Sequence, residues 1–435
     1  MATRTQTMLS DVFPLGSRLN EAGRLEVGGC DTLELAREFG TPAYVVAEDD
    51  LRARARAFLA AGGQAGHEDF NVVFASKAFP CTAVLALFAE EGLWCDVASG
   101  GELHLALNAG FAAERIVLHG NAKSEGELSA ALEHGVGLIV IDNFDEIDRL
   151  QRLVQRRSGG GASADGAGQA VLLRVTPDVR GETHEKISTG QADSKFGFSI
   201  ARAAEAIERV QAADGLSLQG LHAHIGSQLL ALDPFRREVA ELAKLGDFST
   251  WDLGGGLGVR YTADQAQSPS IEDYVTTLLA AAAEQGMGAP GRRLLIEPGR
   301  SLCANACVTL YTVESVKQNV SRWVAVDGGM SDNLRPMLYG ASYEAHVADR
   351  FDGEIRCELA GKHCESGDVI VRETLLDDPR PGDVIVTPAT GAYGYAMANN
   401  YNGVPRPPVI FCRDGDARVV VRRERVEDLT ARDVG

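Results

Sequence analysis

The chain has 435 residues, 45% hydrophobic and 24% charged, an ordinary globular balance that suits two domains and leaves room only for local disorder. A formal net charge of −19 repels phosphate backbones and anionic lipid, which argues against nucleic acid and membrane surfaces as partners. The eight cysteines include no CxxC pair and no histidine-flanked ligand spacing, so neither a disulfide framework nor a metal site is expected.

In chain order, the N-terminal stretch from Met1 to Ser17 lacks an apolar core of signal-peptide length. No later apolar run approaches the ~20 residues of a membrane span, so a soluble, cytoplasmic protein is expected. Eight short β-branched or apolar runs follow, at 71–76, 93–98, 115–120, 137–142, 170–175, 218–225, 250–255 and 294–299. Between them lie amphipathic stretches such as ELHLALNAG and SIARAAEAIERVQAA, whose apolar residues recur three and four positions apart. This alternation predicts an α/β fold, a (β/α)8 TIM-type barrel over 46–302, although a doubly wound sheet has a similar rhythm. SGGGASADGAGQ at 158–169 breaks the rhythm and reads as a flexible surface insertion. From 303 to 435, runs such as CVTLYTVESV, GDVIVRETL, GDVIVTPA and ARVVVRRERV predict a second, mostly β domain, a sandwich or barrel, joined by the N-terminal segment 1–45.

The unusual polar residues fall at the C-terminal ends of the predicted strands, where barrel active sites are built. Lys77 follows the first strand, Asp96 and Ser99 the second, His119 and Asn121 the third, His224 and Ser227 the sixth, Gly254 to Gly256 the seventh, and Glu297 with Arg300 the eighth. Lys77 ends VVFASK and reads either as a snorkelling strand-end lysine or as an amine made nucleophilic by desolvation. DLGGGLG at 252–258 is a tight βα turn or, with the guanidinium of EPGR at 297–300, a phosphate cradle. Glu297 is either a surface or salt-bridged glutamate or a carboxylate that keeps a pyridine nitrogen protonated. His222 and His224 share one face of a strand, with His224 nearer its end and His222 in a supporting place. In the second domain, Arg335 and Tyr339 are spaced to share a helical face and bind a carboxylate. Cys364, between His363 and Glu365, reads as a structural thiol or as a proton donor.

FASKAF, HIGSQ, DLGGGLG, EPGRS, CESGD and GAY, in that order, resemble the motif series of the fold-type III pyridoxal-phosphate decarboxylases along nearly the whole chain. STGQADSKFGF at 188–198 and DGGMSDNLRPMLYGA at 327–341 look more like the diaminopimelate branch of that family than its ornithine or arginine branches. The resemblance implies pyridoxal 5'-phosphate as cofactor, with Lys77 as its Schiff-base lysine, His224 stacked on the pyridine and Glu297 on the ring nitrogen. It further implies Ser227, Gly254, Gly255, Gly256, Pro298, Gly299, Arg300 and Tyr393 around the cofactor, chiefly its phosphate. For the amino-acid substrate it implies Arg300, Arg335, Tyr339, Glu365 and Tyr393, and for the proton donor Cys364 from the other subunit of a head-to-tail homodimer with shared active sites. The implied reaction is loss of CO2 from one stereocentre of meso-diaminopimelate to give L-lysine. The rivals are a decarboxylase of another basic or carrier-linked amino acid, and a non-catalytic regulator of the same fold. MANNYNG at 397–403 departs from the small-residue run more usual in the family.

Overall fold

The computed structural model describes residues 9–67, 69–157, 168–179 and 194–435. Nearly all of the insertion at 158–169, and most of the stretch 188–198, therefore lie outside the described residues. All eight predicted runs form strands: Phe70–Ala75, Trp94–Val97, Ile116–Leu118, Leu138–Ile141, Gln169–Thr176, Leu216–His222, Thr250–Asp252 and Arg293–Ile296. Each pairs in parallel with the next. The eighth returns to the first, with Leu294 opposite Phe70 and Ile296 opposite Val72. That last pairing closes a barrel and excludes the doubly wound alternative.

Strands covered on both faces need apolar residues at every position, which is why LIVI at Leu138–Ile141 is unbroken and wholly buried. Inside the barrel, Val73, Val117, Leu138, Val140, Leu172 and Leu295 pack into one cluster. Side-chain caps fix where the helices begin. Ser99 accepts the amide of Glu102 at the start of Gly100–Asn108, so its place at a strand end is that of a cap. Ser124 and Glu127 form a reciprocal capping box at the start of Glu125–His134, and that helix stops at Gly135, whose φ of 74° favours glycine. A lost cap of this kind costs about 1 kcal/mol.

The chain divides into two compact units, one from Arg54–Gly258 and Ser268–Gly299, the other from residues up to Ala53, Val259–Gln267 and Arg300–Gly435. The second unit is mostly β, as expected. Its main sheet runs in the order Val369–Leu376, Ile355–Ala360, Arg322–Val326, Cys307–Gln318, Ala43–Ala47, Val409–Arg413, Asp416–Val421. The N-terminal strand Ala43–Ala47 is thus central, antiparallel to Cys307–Gln318 and parallel to Val409–Arg413. Its five residues are buried, and Ala43, Val45 and Ala47 join a core that includes Leu25, Val308, Leu310, Val386 and Ile410. Among the described residues no helix is long and apolar enough to cross a membrane.

Candidate active site

In the barrel unit, Lys77 lies in a 3-10 turn, Ser76–Ala78, directly after the first strand. Its Nζ is 3.8 Å from Oδ2 of Asp96, and its side chain is 51% exposed. The side chain is thus half exposed and its amine faces a carboxylate, which favours the snorkelling strand-end reading over apolar enclosure.

Glu297 is buried at the exit of the eighth strand. Nε2 of His119 lies 2.6 Å from its Oε1, and Nε2 of His222 lies 3.2 Å from its Oε2. Burial works to raise the carboxyl's pKa, but the two imidazoles more than offset it and hold Glu297 well below the usual range. His222 was expected to support His224; its ring instead turns to Glu297, which follows a strand two places round the barrel. Burial brings His222 down to about 4, so its ring is neutral at ordinary pH. His224 is also held neutral, by desolvation first and the Lys77 charge second, and its Nδ1 accepts the Gly255 amide at 3.2 Å.

The glycine turn admits no side chains. A Cβ on Gly254 would stand 2.2 Å from the carbonyl oxygen of Ala223, one on Gly255 2.1 Å from that of Glu297, and one on Gly256 2.5 Å from that of Gly226. Pro298 and Gly299 tie the eighth strand to the first: the Pro298 carbonyl accepts the Ala75 amide, and a Cβ on Gly299 would meet that of Ala75 at 3.0 Å. Ser227 follows in the loop after His224. Asn121 belongs elsewhere: with Lys123, Asn143, Arg149 and Arg152 it lines a separate cleft of about 670 Å³.

The β unit gathers cations. Arg300 is buried, donates to the Tyr261 hydroxyl, and places its guanidinium carbon 4.9 Å from the Tyr393 ring centroid. Arg335 is also buried, donates to the Tyr343 hydroxyl, and lies 4.6 Å from the Tyr261 centroid. The Tyr261 and Tyr343 rings meet edge-on at 5.3 Å. Arg335 and Tyr339 do share the one-turn helix Arg335–Tyr339, but the hydroxyl that takes the Arg335 hydrogen bond is that of Tyr343, after the helix has stopped at Gly340. Tyr393 has a left-handed φ of 65°.

Cys364 is exposed, whereas the other seven cysteines are buried. Its amide donates to Oδ1 of Asn402 at 2.8 Å, so the segment that departs from the family pattern holds the Cys364 backbone. The same loop is pinned by Asp368, whose carboxylate accepts the Met330 amide at 2.8 Å, the His363 amide at 3.0 Å and the His363 ring at 2.7 Å. Glu365, exposed, closes the loop by accepting the Asp368 amide on its backbone oxygen. Tyr261, Tyr343, Asp368 and Asn402 were not singled out from the sequence, since isolated tyrosines, aspartates and asparagines carry no local signature.

These groups fit pyridoxal phosphate: an accessible lysine for covalent attachment, a buried carboxylate held ionised for a ring nitrogen, and a turn without side chains for a phosphate. The profile of the family described as "Pyridoxal-dependent decarboxylase, pyridoxal binding domain" matches residues 48–304. The chain belongs to this family of pyridoxal-phosphate-dependent decarboxylases. Within it, the chain is similar over its full length to diaminopimelate decarboxylases. It is 46% identical to that of Bacillus subtilis, with 96% of this chain and 97% of the relative covered. With that of Halalkalibacterium halodurans it shares 44% identity over the same shares. The crystal structure of the diaminopimelate decarboxylase from M. jannaschii, in co-complex with L-lysine, superposes with a TM-score of 0.89 at 32% identity, covering 96% of this chain and 98% of that one.

Proposed function

We propose that this chain removes CO2 from meso-2,6-diaminopimelate to give L-lysine, the last step of lysine biosynthesis, using pyridoxal phosphate. The observation that carries the chemistry is Glu297, a buried carboxylate kept ionised by two imidazoles. The full-length likeness to diaminopimelate decarboxylases, one of them solved with L-lysine, supports the substrate.

Pyridoxal phosphate, when bound, supplies a sink for the electron pair left behind as CO2 departs. Lys77 would hold the cofactor through its amine. Glu297 would hold a proton at the ring nitrogen, His224 would lie against the ring, and Ser227 with the Gly254–Gly256 turn, Pro298, Gly299, Arg300 and Tyr393 would hold the remainder of the cofactor. Arg335, with Arg300, Tyr339 and Tyr393, holds the carboxylate that is retained, and Glu365 meets an amino group. Cys364 delivers the proton to the carbon that lost CO2, from the partner subunit of a head-to-tail homodimer in the cytoplasm. The exposure of that single thiol supports its part, and the uncrosslinked cysteines suit a reducing compartment.

Lys77→Ala is the direct test. The purified wild type should absorb in the near-visible and release CO2 and L-lysine from meso-diaminopimelate, with ornithine and arginine as poor substrates. The variant should lose both the absorbance and the activity. Retention of either in a folded Lys77→Ala protein defeats the cofactor assignment, and preference for another amino acid defeats the substrate.

A further inference from the structure

Two carboxylates stand side by side in the barrel wall, Asp252 at the end of the seventh strand and Glu297 just after the eighth. Carboxylate oxygens of Asp252 and Glu297 and ring nitrogens of His119 and His222 all lie within 4.8 Å of one another, and all four residues are buried. Two anions at such spacing in a medium of low dielectric repel strongly enough that the pair retains one proton. The surrounding hydrogen bonds decide which carboxylate keeps the charge. His222 hydrogen-bonds Oε2 of Glu297 at 3.2 Å, and Nε2 of His119 stands 2.6 Å from its Oε1. Asp252 accepts the Gly254 amide, at 3.0 Å on Oδ1, and among the described residues no donor reaches its buried Oδ2. A carboxyl oxygen that bears a proton needs an acceptor rather than a donor, and the anion of Glu297 is beside it.

We infer that Asp252 is a neutral carboxylic acid that turns its proton toward Glu297 while its carbonyl oxygen holds the Gly254 amide. It is a positioning residue, tying the glycine turn to the carboxylate of the ring nitrogen through one side chain. It also leaves this pair with a single negative charge, matching the single positive charge of a pyridinium. The other ionisable groups facing the pair include Asp96, Glu238, Tyr274 and His224, together with the cation Arg174. Burial first, and the Glu297 charge second, push Asp252 well above the usual carboxyl range, in the direction the hydrogen bonds require.

Asn is the isostere of the neutral acid, with an oxygen for Gly254 and an N–H for Glu297, so Asp252→Asn separates this assignment from an ionised aspartate. In the cofactor-free protein, infrared difference spectra between wild type and Asp252→Asn should show the loss of one un-ionised carboxyl band. Asp252→Asn should bind pyridoxal phosphate within about threefold of wild type, whereas Asp252→Leu, which removes both hydrogen bonds, should weaken it about tenfold or more. Absence of the difference band, or Asp252→Asn binding as weakly as Asp252→Leu, overturns the inference. If Asp252→Leu does not fold, the infrared band and the affinity of Asp252→Asn still decide. The inference rests on the cofactor reading only through the affinity measurement. A chain that takes no pyridoxal phosphate fails there while keeping its band, and neither readout involves substrate.

Discussion

In the barrel, the buried acids Asp96, Asp252 and Glu297 are met by imidazoles, a lysine and backbone amides; in the β unit, the buried cations Arg300 and Arg335 are met by the rings and hydroxyls of Tyr261, Tyr343 and Tyr393. Carboxylates and imidazoles change charge by moving one proton, so the barrel can set its charge by sharing protons. Guanidinium groups do not deprotonate, so the β unit must accommodate a fixed charge, and tyrosine does so with a π face and a polar tip. One region is built for protonation chemistry and the other for holding an anion in place.

The largest expected effect tests the barrel half of that contrast. Glu297→Gln keeps the shape and removes the charge, so turnover should fall about a thousandfold while cofactor affinity and folding change far less. Near-wild-type turnover would mean that the anion is not what the barrel supplies. The β unit holds an exception that sharpens the comparison. Burial pushes Asp332 up to about 7, although it accepts hydrogen bonds from the Tyr311 hydroxyl and the Gly329 amide. The folded chain keeps this proton through a range where the unfolded chain has released it. The resulting stability is fully present below the ordinary value of 3.8 and is lost as pH rises through about 7. The loss is at most about 4 kcal/mol. Asp332→Asn should therefore gain on wild type as pH rises from 4 to 8 in denaturant titrations; a constant difference would show that Asp332 ionises normally. The smallest effect concerns the fixed cations. Arg335→Lys keeps the charge but loses the planar fork, so KM for the substrate should rise about tenfold with kcat less affected. A fall in kcat alone would place Arg335 in the chemistry rather than in anion holding.

The barrel was legible because its strands announce themselves as apolar runs and its chemistry sits at their ends. Closure was not, since a doubly wound sheet has the same rhythm until Leu294 is seen opposite Phe70. His119 and Glu297 were noticed separately, but no spacing in the chain relates a third strand to an eighth. In the β unit the arginines were visible and their companions were not. Tyr261 lies in Val259–Gln267, a segment that groups with the β unit although barrel segments flank it on both sides. Arg335 and Tyr339 do share the single turn Arg335–Tyr339, but the hydroxyl that takes the Arg335 hydrogen bond, that of Tyr343, lies beyond it. Asn402 was passed over because a departure from a family pattern gives no sign of which amide it will hold.

The central position of Ala43–Ala47 bears on how the protein is made. This strand leaves the ribosome while both of its neighbours, Cys307–Gln318 and Val409–Arg413, are still to be translated. All eight barrel strands are complete by Ile296, so the barrel can close during synthesis while five apolar residues upstream wait with both hydrogen-bonding edges bare. The chain's closing segment therefore acts as a guard for its opening one, and interrupted translation leaves a sticky strand on an otherwise finished barrel.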